Sequence, residues 1–125
     1  MKVSDIYDLL EKKFGVKEFT EKYQSEFDSY EKQLKKRGAS IPIKVDNDYS
    51  FTFLEKHFEC IYDHFLFDRI SEIKINYIID CLLFSDTVKF KNEALQDYAE
   101  LLTDPAVNGY LTKEAVKIFL RNLGV

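Results

Sequence analysis

From Thr52 to Phe67 apolar side chains occupy most of a helical circumference, and the only two histidines of the chain, His57 and His64, fall among them. At about 100° per residue, Phe67, Cys60, Phe53, His64, His57, Ile61, Leu54, Phe65, Phe58, Tyr62 and Leu66 sweep an arc of roughly 260°. Glu55, Lys56, Glu59 and Asp63 share what is left. A helix with so narrow a polar strip has to be enclosed by its neighbours, so this segment predicts the spine of a helical bundle. Imidazoles at core-facing positions need hydrogen-bond partners, a metal ion or a cavity. His57 and His64 are therefore the first residues to question.

A chain of 125 residues, 46% hydrophobic and 32% charged, can bury one sizeable core. One helical domain over residues 1–125 is expected. The apolar runs are far too short for a bilayer, and Asp5 and Asp8 interrupt the amino-terminal stretch where a secretion signal needs continuous apolar residues. The expectation is a cytoplasmic protein with no membrane association. Cys60 and Cys81, each in apolar surroundings, read as reduced core thiols. The net charge is −4, and the acidic excess lies wholly beyond residue 50. That balance speaks against unassisted binding to nucleic acid, which needs clustered cations to displace counterions from phosphates. Lys35, Lys36 and Arg37 form the one basic run, placed to neutralise the carbonyl end of a helix. They carry the weaker alternative of a nucleic-acid accessory protein.

Ile6, Leu9, Leu10 and Phe14 at helical spacing, with Ser4 as N-cap and Gly15 as stop, predict a short first helix. Phe19, Tyr23, Phe27, Tyr30 and Leu34 form a narrow seam along one second helix, from about Lys17 to Arg37, with Gly38 ending it. Ile41, Ile43 and Val45, then Tyr49, Phe51 and Phe53, alternate about an Asp46-Asn47-Asp48 turn, which predicts a small β-hairpin or an extended loop across the helices. Thr52 and Glu55 have capping-box spacing and start the histidine-bearing helix, which ends near Phe67. Ser71 to Ser85 reads as a second core helix with Glu72, Asn76 and Asp80 as its wet edge; a strand over Glu72 to Tyr77 competes. Asn92 caps a fifth helix closed by Asp104-Pro105. Thr112 caps a sixth, with Leu111 and Val116 as a hydrophobic staple and Gly124 as its stop. A compact, mainly all-α bundle of about six helices follows, with a small β-hairpin at residues 41–53.

His57, Cys60 and His64 stand at helical spacing, and Asp80 or Cys81 would bring a fourth group to a candidate pocket. The two imidazoles are two turns apart, roughly 10 Å by helical rise. One ion reaches both only at full stretch, so no metal is expected, and hydrogen-bonded structural histidines are the simpler reading. An enzyme, or a small-ligand or metal sensor, with its pocket at these residues is the alternative. Neither cysteine stands at a helix N-terminus or beside a cationic cluster, as a nucleophilic thiolate requires. Asp104 to Leu111 has the outline of a calcium loop, but Ala106 and Ala115 occupy places where ligands are required. The four glycines are scattered and form no phosphate-gripping loop, so no cofactor is expected.

A second constellation lies on the outer face of the same helix. Glu55, Glu59 and Asp63 fall on one line flanked by Tyr62 and Leu66, a mix of acid and aromatic that attracts a basic protein and anchors on a ring. With no catalytic set in view, the expected function is that of a small acidic binding protein, an interaction module or inhibitor of the immunity or antitoxin kind. Its expected partner is a protein of basic character.

Overall fold

The computed structural model describes residues 1–35, 43–103, 112–122 and 124. In chain order the elements are α1 (Val3–Leu10), α2 (Val16–Lys22), α3 (Gln24–Leu34), β1 (Phe51–Phe53), α4 (Glu55–Leu66), α5 (Glu72–Phe84), β2 (Val88–Phe90), α6 (Glu93–Leu101) and α7 (Lys113–Asn122). The mainly helical reading holds, with seven helices among the described residues. The predicted long second helix is broken at Tyr23, whose φ of −107° and ψ of 15° leave the helical range. The break falls where two allegiances part. Tyr23 donates its hydroxyl to Asp5 and accepts the Lys2 amide at 3.2 Å, fastening α2 to α1. Phe27 and Tyr30 turn instead to Tyr77 of α5, with ring centroids 5.7 and 5.0 Å away. The seam from Phe19 to Tyr30 is buried throughout. Lys36, Arg37 and Gly38 lie outside the described residues.

α4 and α5 carry the centre of the core. Phe58, Ile61 and Tyr62 of the first and Ile75, Ile78, Ile79 and Leu82 of the second are each at most 2% exposed. α5 is a helix throughout, which removes the strand reading of 72–77, and Ser71 is its N-cap. Its polar ladder does not form a wet edge. Asn76 is buried, and Asp80 accepts a hydrogen bond from Tyr30 of α3 at 2.9 Å, because α3 covers that side. Asn92 and Thr112 cap α6 and α7 as predicted, through the amides of Leu95 (3.0 Å) and Ala115 (3.1 Å). Gly124, at a φ of 80°, takes the left-handed turn that stops α7. The staple residue Leu111, the Asp104-Pro105 closure and the calcium-like segment 104–111 lie outside the described residues.

The hairpin expected over 41–53 is not what the described part of that segment forms. Phe51, Thr52 and Phe53 pair in parallel with Val88, Lys89 and Phe90, and the Lys91 amide extends the ladder to the Phe53 carbonyl at 3.0 Å. A parallel pair needs a long crossover, here α4 and α5 together. Thr52 is consequently a strand residue, and α4 starts two residues later than the capping-box spacing implied, with Leu54 as its N-cap. Asp46, Asn47 and Asp48 form a clamp and not the predicted turn. Asp46 exchanges backbone hydrogen bonds with Met1 and Val3 at 2.9 and 3.0 Å. The Asn47 side-chain oxygen accepts from the Ser85 hydroxyl at 2.6 Å and the Asp86 amide at 3.2 Å, closing the turn after α5. Asp48 caps α1. Ile41 and Pro42 lie outside the described residues.

α1 and α4 end in the same way. Lys12 and Asp68 hold positive φ, 62° and 58°. Around Lys12 the Lys13 amide reaches back to the Asp8 carbonyl at 2.7 Å and the Lys12 amide to Leu9 at 3.1 Å; around Asp68, Arg69 reaches His64 at 2.8 Å and Asp68 reaches Phe65 at 3.1 Å. Both are Schellman closures with a non-glycine residue in the left-handed position. Gly15, predicted as the stop of the first helix, is instead the N-cap of α2.

Candidate functional site

The structure answers the histidine question separately for each ring. His57 occupies the third position of α4 and is 2% exposed. Its Nδ1 accepts the amide hydrogen of Leu54 at 2.9 Å, so the proton of the neutral ring sits on Nε2 and is donated to Glu11 Oε1 at 3.0 Å. Glu11 also receives Lys56, whose Nζ lies 3.0 Å from Oε1. Rings surround the imidazole: Phe51 and Phe53 of β1 at 5.5 and 5.4 Å, and Tyr7 of α1 at 6.2 Å. Burial pushes the His57 pKa down from its ordinary value, against the pull of Glu11. The hydrogen bonds from His57 and Lys56 hold the Glu11 carboxyl down to about 2. With both nitrogens engaged, the ring has no lone pair left to take a proton from a substrate or to ligate an ion.

His64 is half-buried near the end of α4, and its buried Nδ1 has no hydrogen-bond partner among the described residues. Burial lowers its pKa, with Arg69 and Lys12 pushing the same way and Asp63 opposing. Cys60 lies on the buried side, its thiol donating to the Leu9 carbonyl at 3.7 Å. Burial raises the Cys60 pKa and pushes Cys81 up to about 12, so neither thiol is a ready nucleophile. Both cysteines are free. Asp80 is turned to α3, and among the described residues no three His, Cys, Asp or Glu side chains are placed to hold a metal ion. The residues expected to share one pocket, His57, Cys60, His64 and Asp80, are thus not brought together: three bond to different partners and the buried Nδ1 of His64 bonds to none among the described residues.

The outer stripe of α4 is partly as expected. Glu55 is committed to Lys91 of the turn after β2, at 3.0 Å. Glu59 is exposed and Asp63 half-buried, and neither joins an ion pair among the described residues. Tyr62 is a correction. It is fully buried, stacked between Phe58 (5.6 Å, 20°) and Phe119 of α7 (6.4 Å, 18°), because α7 packs over the flank that the isolated helix would leave open. Leu66 is half-buried against the core. The aromatic ring that is exposed at this end of α4 is Phe67, 66% accessible, with the Arg69 guanidinium 5.0 Å from its centre.

Glu59 and Asp63 border a cleft of about 210 Å³ between the end of α1 and α4, lined also by Glu11, Lys12, Lys56 and Cys60. Of the four residues assigned to a pocket, Cys60 alone lines it. Glu11 and Lys12, which complete it, carry no local signal in the sequence: they belong to the site only because α1 and α4 pack together. Among the described residues no helix is long and apolar enough to cross a membrane. No protein-family model matches the chain, and no curated protein and no solved structure matches it significantly.

Proposed function

We propose that this protein is a binding module for another protein, with the outer edge of α4 as its contact surface and a basic partner. The observation that carries the reading is the pair Glu59 and Asp63, which border the α1–α4 cleft without an ion pair among the described residues. Surface carboxylates not held in ion pairs steer and orient a positively charged partner. Exposed Phe67, at the end of the same helix, supplies apolar area of the kind that anchors an interface. Inhibition of a basic protein by covering it, as immunity proteins and antitoxins do, is the specific form that fits an acidic chain in which His57 and Cys60 are engaged in structural hydrogen bonds.

The test compares the intact chain with the Glu59→Lys, Asp63→Lys double variant as paired baits in native extract. The fold should be unchanged, since Glu59 is exposed, Asp63 is only half-buried and neither joins an ion pair among the described residues, and a basic protein retained by the parent should be lost from the variant. Equal capture of every retained protein, with both baits folded by circular dichroism, overturns the reading.

A further inference from the structure

The Leu54–His57–Glu11 chain of hydrogen bonds does two jobs at once. The ring satisfies an amide at the start of α4, one of the donors that a helix N-terminus leaves without an intrahelical partner. It also ties α4 to Glu11, at the end of α1, 46 residues away. The first job depends on the protonation state, whereas the Nε2–H that holds Glu11 is present in either form of the ring. A second proton would go onto Nδ1, the atom that accepts from Leu54, so donor would face donor and the amide would be left unpaired. The new positive charge would lie in the first turn of α4, where the helix dipole is itself positive.

We propose that His57 is an acid-sensitive latch: as the neutral ring it closes the start of α4 by accepting the Leu54 amide beside Glu11, and on protonation it releases that amide and loosens the first turn of α4. The groups that face the ring are few. Glu11 comes from the end of α1 and favours the charged ring; Lys56 of α4 opposes it; Tyr7 of α1 is un-ionised at these pH values, and β1 presents only Phe51 and Phe53. Tyr49, against Tyr7, and Lys13, 5.9 Å above the Tyr7 ring, form the next layer. Glu11 already serves Lys56, which reduces what it adds for a charged His57. Because burial sets the folded pKa below the ordinary 6.5, the ring's contribution to stability is complete above that value and is lost as pH falls through the folded pKa.

His57→Gln separates the latch from ordinary acid sensitivity, since glutamine at this helix position reaches back to the same amide and donates to Glu11 but does not titrate. Both arms carry His64→Gln to silence the other imidazole. Between about pH 7.5 and about pH 5, the melting temperature of the His57 protein should fall while that of the His57→Gln protein stays level. An equal fall in both overturns the latch. Should a variant fail to fold, nitrogen NMR of the intact parent decides: Nδ1 should be unprotonated at neutral pH, and the Leu54 amide resonance should titrate with the ring. A proton on Nδ1 at neutral pH, or a Leu54 amide that ignores the ring's titration, overturns it.

Discussion

Asp48 grips Ser4 with both carboxylate oxygens across 44 residues of sequence: Oδ1 accepts the Ser4 amide at 2.9 Å and Oδ2 its hydroxyl at 2.6 Å. Ser4 is thus not the cap of α1 but the residue being capped. The loop that follows α3 supplies from a distance what an N-cap side chain supplies locally. Removing the carboxylate in Asp48→Ala should cost about 1 kcal/mol, the usual worth of a helix cap, read as a lower urea midpoint with an unchanged slope. The Ser4 hydrogen bonds hold the Asp48 pKa below its ordinary 3.8, so this contribution is present above that value and fades as pH drops further. A variant as stable as the parent would show that the cap contributes nothing.

Lys12 ends α1 in a left-handed conformation that a side chain disfavours, at a φ of 62°. An L-residue there gives up roughly 1–2 kcal/mol, part of which glycine returns to its more flexible unfolded chain. Lys12→Gly should therefore raise stability by about 0.5–1 kcal/mol, seen as a higher thermal midpoint. A lower midpoint would mean that the exposed Lys12 side chain holds the turn by contacts of its own.

Tyr62 is enclosed between Phe58 and Phe119 with a hydroxyl that finds no hydrogen-bond partner among the described residues. Such a group costs about 1–3 kcal/mol of lost hydration. Tyr62→Phe keeps the stacked ring and should leave stability level or raise it by about 1 kcal/mol, whereas Tyr62→Ala should lose about 3–5 kcal/mol through the cavity it opens. Paired melts of the two variants check both limbs; a clear loss for Tyr62→Phe would reveal a partner for the hydroxyl.

Several parts of this molecule were legible residue by residue. The phase of the Thr52–Phe67 segment placed His57 and Cys60 inside, and the spacing of Phe19, Tyr23, Phe27 and Tyr30 marked a buried seam. Asn92 and Thr112 were recognisable caps because a cap acts on an amide three residues away. The candidate site was less legible. Helical phase put Tyr62 beside the acidic stripe, but Phe119 of α7 decides that it is covered. The Glu72, Asn76, Asp80 ladder looked wet for the same reason, since nothing local announces that Tyr30 will meet Asp80.

Periodicity and capping chemistry operate within about four residues, so the amino-acid order alone determined a helical protein, its aromatic seams and most helix boundaries. Only the tertiary structure decided that β1 pairs in parallel with β2, that Glu11 completes the His57 hydrogen-bond chain and that Asp48 caps α1. Those partners lie 37 to 46 residues apart along the chain. Contacts of that kind depend on how whole elements dock, which no pattern within either element records.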